Sequence, residues 1–442
     1  MAKHSRTRSP SDEAGPSRRP KAKRPCVAGK PPPPPPAPLA TTSSSSWALK
    51  RARGARRPRP APIRRCWSNL TYTLAGVIAE LALANDMSDY MSFRAVCREW
   101  RRGAVDAASR AQGCLDRRFH PRQWIMLREA APPGPARHRR RFLNVSTGEC
   151  VHKDLPELDG HHLLGATAEG LLALLDESTF VVRLLNPTTR QLAELPSLDP
   201  VLSDAMRIKI ITHEFTVPGI GLADDDSTVA LCLSYQLLIA KPGDDSWKTV
   251  RDNVFLYSAM SFSGRFYCVT GSADMMLEIS RAANETPQLK EVSKMKSWGY
   301  EDTVHLVEID GKLLLVRSWR MPSKEDYKIK IRKYRAYRVR AGGRKVVPVR
   351  GLSGRAVFLG ERRALSVSTS VFPSLCSNTV YLSYDVPEKV EMGAVAYNLH
   401  ERRITEHCSE MDDYGRGWVR PCGIGEYLSW YVSGKCHIMG EI

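Results

Sequence analysis

From about residue 120 onward one pattern recurs. Short runs of Val, Leu, Ile, Tyr and Phe each end in a cluster of Gly, Pro, Asp or Asn. The stretch "GLLALLDESTFVVRLLNPTTRQLAELP" (170–196) reads as strand, Asp-Glu-Ser turn, strand, Asn-Pro turn and short strand. "SFSGRFYCVTGSADMMLEI" (261–279) repeats that logic, and "VHLVEIDGKLLLVRSW" (304–319) does so with Asp310-Gly311 as its hairpin turn. "GRAVFLGERRALSV" (354–367) and the runs between 378 and 399 continue it. Consecutive hairpins without long helices between them restrict the body to an antiparallel, mainly β architecture. Repeats of roughly 40–50 residues predict about six or seven blades closed into a ring, which leaves few strand edges exposed. A pair of β-sandwiches is the alternative.

Before this body the period changes. Leu70, Leu74, Val77, Ile78 and Leu81 fall on one face of a helix. Asn85 or Asp86 can cap a second helix, along which Phe93, Val96, Cys97 and Trp100 lie at i, i+3, i+4 and i+7. Residues 67–110 thus form a helical unit, small enough that burial against a partner would help it.

The net charge of +19 suggests nucleic acid until it is located. Residues 1–66 carry +15 of it, leaving +4 on the other 376 residues. This tail holds six consecutive prolines (31–36), four serines (43–46) and basic clusters at 18–24 and 51–60. Its apolar content is too low to offset the entropy of ordering, so it is expected to be disordered and locally stiff at the prolines. The clusters fit nuclear import or loose nucleic-acid contact, and equally a solubilising extension. Within the body, residues 317–350 carry a local +11, and 327–340 reads as a strand or hairpin with a basic outer face. That face is either a solvated edge or a patch for an acidic partner. Nucleic acid is a weaker reading, since no recognition-helix, RNA-motif or zinc-finger pattern accompanies it.

No chemistry-bearing motif stands out. Gly219-Ile220-Gly221 and Gly423-Ile424-Gly425 are too short for a dinucleotide fingerprint. "GHH" (160–162) and "HEF" (213–215) hold isolated histidines, and the acidic loop at 222–227 lacks the ligand ladder of a calcium site. The eleven cysteines contain no C-x-x-C pair and are expected to be mostly small core residues in a reducing compartment. His407, Cys408, Cys422, Cys436 and His437 do not match paired zinc-ligand spacing. No cofactor, metal or catalytic residue is expected, and neither a membrane span nor a secretory signal. The sequons at Asn69 and Asn144 are accordingly expected to be chance matches.

The helical unit resembles the F-box, whose pattern runs roughly L-P-x-E-L-L-x-x-I and then D-L-L-x-L-R-x-V-C-R-x-W. Leu70, Leu74 and Ile78 fill the first half; Asp89, Phe93, Arg94, Val96, Cys97, Arg98 and Trp100 fill the second. Thr71, Thr73 and Ala75 depart from it, standing where a proline, an acidic residue and a leucine are usual. The lost leucine implies a loss of roughly 1–3 kcal/mol of burial at the adaptor. The body resembles the plant F-box proteins that carry a kelch-like β-propeller, on the strength of 170–198, 246–269 and above all 352–383.

The resemblance implies a fold that is mainly β, a kelch-like propeller over 121–440 behind a small all-α F-box (67–110); the basic tail (1–66) lies outside it. It implies a non-catalytic, substrate-recruiting subunit of an SCF ubiquitin ligase, nuclear or cytoplasmic. Such a subunit contacts a Skp-type adaptor, through it a cullin, and an unidentified protein target. The adaptor-binding residues it implies are Leu70, Leu74, Ile78, Leu81, Asp89, Phe93, Arg94, Val96, Cys97 and Trp100. An F-box-like scaffold uncoupled from the ligase, or a nuclear protein binding nucleic acid through its tail, are the alternatives.

Overall fold

The computed structural model describes residues 67, 70–106, 115–127, 138–223, 227–271, 275–280, 288–294, 303–322, 330–340, 346–383, 394–407 and 423–433. The tail at 1–66 lies outside the described residues, as do Asn69, the centre of the acidic loop and most of the histidine–cysteine group near the C-terminus.

Six sheets follow one another along the chain. Blade A holds β1 (Trp124–Met126), β2 (Arg139–Asn144) and β3 (Cys150–Asp154). Blade B runs β4 (His161–Ala166), β5 (Leu172–Asp176), β6 (Val181–Leu185) and β7 (Leu192–Ser197). A short helix α4 (Asp204–Ile211) leads to blade C, which has β8 (Gly219–Leu222), β9 (Val229–Cys232), β10 (Leu237–Ala240) and β11 (Lys248–Arg251). Blade D has β12 (Leu256–Phe262), β13 (Arg265–Thr270), β14 (Met275–Ser280) and β15 (Gln288–Lys294). Blade E has β16 (Thr303–Ile309), β17 (Lys312–Pro322), β18 (Lys330–Arg338) and β19 (Val347–Val349). In blade F, β20 (Arg355–Leu359) and β21 (Ala364–Ser368) form a hairpin, and β22 (Thr379–Leu382) joins β20 in parallel. β23 (Ala394–Asn398) and β24 (Arg403–His407) complete that sheet.

Each sheet buries one face against the next, and this makes a ring of six blades. Ile220, Val229 and Leu231 of blade C pack on Ala173, Val182 and Leu184 of blade B. Comparable seams join C to D, D to E and E to F. Trp124 and Phe142 join A to B. Ile125 and Leu143 meet Phe358 and Val367 of blade F, with Leu428 and Val432 of a C-terminal helix α5 (Ile424–Val432) filling the same seam. Closure selects the propeller over paired sandwiches, and six over seven blades. No helix among the described residues is long and apolar enough to cross a membrane.

The turns follow from their residues. Asp310 and Gly311 both have positive φ (49° and 67°) between the paired Ile309 and Lys312, as a two-residue hairpin requires. Four other turns share one device. The side-chain oxygen of Asn144, Asp176, Asn186 or Asn398 accepts the backbone N–H groups two and three residues on. The fourth residue on, Gly148, Phe180, Arg190 or Arg402, closes the turn in the left-handed region. Asn144, expected to be an idle sequon, is buried and spent on this turn.

β20 starts beside the β16–β17 turn, where Arg355 pairs with Asp310 at 2.7 Å. It ends at Leu359, and the carbonyl of the next residue, Gly360, accepts from His305 near the start of β16 at 2.7 Å. Turn 360–363 therefore lies at the end of the ring where the inner strands begin, and it reaches over the axis. Arg362 donates to Ser234 of blade C at 3.1 Å, and Arg363 donates to the Leu164 carbonyl of blade B. Gly165 leaves the room for that guanidinium: a Cβ there would overlap it. We expect Gly165→Val to expel Arg363 and cost about 2 kcal/mol by leaving the Leu164 carbonyl without its donor and by lost packing. That lowers the melting temperature by roughly 4–8 °C; an unchanged melting curve would show that the turn is not held there.

Candidate docking surface

The helical unit comprises α1 (Tyr72–Asn85), α2 (Met87–Val96) and α3 (Arg98–Gly103). Thr71, in the place of the usual proline, starts α1 by capping it: its hydroxyl accepts from Leu74 N at 3.5 Å. Asp86 caps α2, accepting from Ser88 N at 2.6 Å. Cys97 then breaks the helix that the spacing predicts to run through Trp100. Its backbone is extended, and its sulfur caps α3 by accepting from Trp100 N at 3.5 Å.

This break decides which residues face inward. Phe93 is buried and stacks on Trp100 with ring centroids 4.6 Å apart, and Trp100 donates Nε1 to the Trp67 carbonyl at 2.9 Å. Arg94 points inside the unit, donating to the Val105 carbonyl at 2.9 Å and pairing with Asp106 at 3.6 Å. Phe93, Arg94, Cys97 and Trp100 thus hold the unit together, with Leu70 and Ile78 half-buried at its margin. Asp89 is exposed and accepts from Asn85.

α1 turns its small residues in and its large ones out. Ala75 and Ala79 are buried, with Leu83, against Met87, Tyr90 and Phe119. Leu74, Val77 and Leu81, which the periodicity assigns to one helix face, are 54%, 54% and 66% exposed, as is Val96 of α2 at 60%. Ala75, standing where the motif pattern has a leucine, is buried inside the unit. It sits where α1 crosses α3, and a Cβ on Gly103 would come within 2.7 Å of its own. A larger residue at position 75 would force the helices apart. Tyr72, Val77 and Met91 are further exposed apolar residues outside the implied set; only the inward turn of the alanines reveals them.

Asp86 also ties the unit to blade A. Its carboxylate accepts from Trp124 Nε1 at 3.2 Å and from Asn144 Nδ2 at 3.1 Å. Asn186 of blade B donates to the Phe119 carbonyl at 2.9 Å. Pro121 meanwhile packs on Gly170 in the β4–β5 turn. The helices therefore sit at the end of the ring opposite turn 360–363.

Elsewhere the polar groups serve the ring. His162, from one isolated-histidine motif, bonds through Nε2 to the carbonyl of Phe215 at 2.7 Å and stacks on His213 of the other, linking blades B and C. Of the five free cysteines among the described residues, Cys232 and Cys268 are buried, and burial pushes both thiols up, Cys268 to about 12. Cys150 and Cys376 are exposed and Cys97 is half-buried, so the expected core role fits only two of the five. β18 is an outer edge only along the residues that the short β19 leaves uncovered. Burial raises the Glu169 carboxyl above its ordinary 4.5, against the opposing pull of the Thr167 and Ser261 hydroxyls and the charge of Arg122.

The family model for the KIB1-4 beta-propeller matches residues 142–404. No curated protein matches the chain. Among solved structures, a catalytically inactive virginiamycin B lyase from Staphylococcus aureus with quinupristin is 10% identical. It covers 47% of this chain and 76% of its own, with a TM-score of 0.25. A protein from Lactobacillus plantarum is 13% identical over 52% of this chain and 67% of its own, with a TM-score of 0.27. Neither likeness carries an argument at those scores.

Two outcomes follow from this geometry. Asp86→Ala removes a helix cap worth about 1 kcal/mol and strands two buried donors at about 1–3 kcal/mol each. Hydrogen exchange should accelerate in α2 well before the blades, and uniform exchange across both would refute the tie. Glu169 holds its proton more tightly folded than unfolded, so wild-type stability falls as pH rises past 4.5 towards the raised value. Glu169→Gln should melt higher than wild type at pH 7–8, the gap closing towards about pH 4.5.

Proposed function

The chain belongs to the KIB1-4 beta-propeller family, and from that premise we propose that it is the substrate-recruiting F-box subunit of an SCF ubiquitin ligase. One observation carries the reading: α1 faces its alanines inward and presents Leu74, Val77 and Leu81 outward, with Val96 exposed on α2. A helix that needed only to fold would put its large side chains inside. Covering what remains exposed of each is worth about 1–2 kcal/mol, enough together for specific docking. The Skp-type adaptor is that partner, and a cullin is reached through it.

In this mechanism the chain supplies no catalytic group. The propeller holds a target protein while the helices hold the ligase, and the rate gain is proximity. The ring separates the two tasks, because the helices occupy one end and leave the other end and the outer wall open to a target. A plant origin and a nuclear or cytoplasmic setting belong to the same proposal. The basic tail adds at most non-specific contact with nucleic acid.

The test follows from which motif residues face outward. Substituting Trp100 would disturb the Phe93 stack and confuse folding with docking. Leu74→Asp, Leu81→Asp and Val96→Asp together change exposed positions only. Recovery of a purified Skp-type adaptor should fall at least tenfold while the melting curve stays unchanged. Equal recovery by wild type and variant, or none by either, overturns the proposal and favours an uncoupled F-box-like scaffold.

A further inference from the structure

At the outer junction of blades E and F lies a cleft of about 500 Å³. Arg335 of β18, Arg350 of the connection to β20, and His400 and Arg402 of the β23–β24 turn line it, and no carboxylate does. Among the described residues none of the three arginines is ion-paired. Arg335 lies over the Trp319 ring with 5.7 Å to its centroid, and the nearby Glu401 is taken by Arg403 at 2.5 Å.

Blade B carries a turn of the same build, and the comparison is informative. There Asn186 anchors the turn, and Arg190 closes it with φ 61°. Arg190 then pairs with Glu157 at 2.7 Å, a residue of the connection entering blade B. In blade F, Asn398 anchors the turn and Arg402 closes it with φ 57°. The connection entering blade F offers Arg350 where the other offers a carboxylate. The protein neutralises the first arginine internally and surrounds the second with more positive charge. Gathering like charges around a concavity opposes folding unless a ligand of the opposite sign compensates.

The geometry points to this cleft as a binding site for an acidic peptide segment, one with clustered carboxylates or phosphates alternating with apolar residues. This reading rests on the proposed recruiting function and assigns the contact with the target to the outer wall of the ring. Arginines in a fork geometry suit carboxylate and phosphate alike. Val349 and Leu399 give the cleft apolar wall for the alternate side chains. Pro348 removes a donor from the β19 edge, so recognition falls to side chains rather than to an added strand. Nucleic acid fits less well: Tyr334 is buried against Tyr397, ring centroids 5.0 Å apart, and offers no free face for stacking bases.

The full-length protein, without adaptor, is titrated into three fluorescein-labelled twelve-residue peptides of alternating sequence. These carry Glu with Leu, phosphoserine with Leu, and Gln with Leu; a twelve-nucleotide single-stranded RNA is a fourth probe. The two charged peptides should bind, and the ratio between them reports which anion the cleft prefers. Arg335→Glu, Arg350→Glu and Arg402→Glu together should weaken that binding at least tenfold. Lys248→Glu, Arg251→Glu and Lys290→Glu, on exposed strand positions of blades C and D, change the net charge equally and should weaken it less than twofold. Arg402→Gln alone should weaken it severalfold with an unaltered melting curve, which covers misfolding of the triple variant. Equal losses in the two triple variants, equal binding of the Gln peptide, tighter binding of RNA, or no peptide binding by wild type would each overturn the assignment. Because no adaptor is present, such a failure leaves the helical docking surface standing, and loss of adaptor recovery leaves the cleft standing.

Discussion

A ring of sheets depends on its last seam. Five of the six seams join blades adjacent in sequence, so each can form as its strands are laid down. The sixth brings Ile125 and Leu143 of blade A against Phe358, Val367 and Leu428 from the far end of the chain. Loop-closure entropy has to be overcome before that burial rewards it. α5 is part of the answer: Leu428 and Val432 fill the seam, and the Ser429 carbonyl accepts from Ser383 at 2.6 Å. Turn 360–363 adds bonds from blade F to blades B, C and E, so the ring is tied across its axis as well as around its rim.

The helical unit uses this closed ring as a foundation. Asp86 caps α2 and also holds Trp124 and Asn144, so one carboxylate starts a helix and fixes it to blade A. Because the unit is fixed from below and packed through alanines, its outer leucines stay exposed. The residues that make the motif recognisable divide in two. Phe93, Arg94, Cys97 and Trp100 build the unit, while Leu74, Leu81 and Val96 are presented by it.

Much of the blade architecture was legible because strand and turn signals are local. Asp310-Gly311, the Asp-Glu-Ser turn and the Asn-Pro turn announce their hairpins, and each occurs where its residues place it. What the helical face packs against was not legible, for an equally physical reason. Periodicity identifies residues that share a face, and it does not say whether that face is packed. The stripe Leu74, Val77, Leu81 has the spacing of a core and lies in solvent. The Cys97 break was hidden because Phe93, Val96 and Trp100 keep perfect helical spacing across it. α5 and the crossing arginines were not legible, since their partners lie elsewhere in the chain.

The sequence by itself determined the alternation of hairpins, the position of a helical unit before them, and the residues by which that unit resembles the F-box. Each of these is written in neighbouring residues, where turn chemistry and helical period act over a few positions. Only the tertiary structure decided that the blades number six, which leucines face outward, and that Arg335, Arg350 and Arg402 converge on one cleft while Arg190 is neutralised by Glu157. Those outcomes depend on how distant segments pack. The buried seams and the Arg190–Glu157 pair are properties of the assembled ring, because their partners come from different segments of the chain.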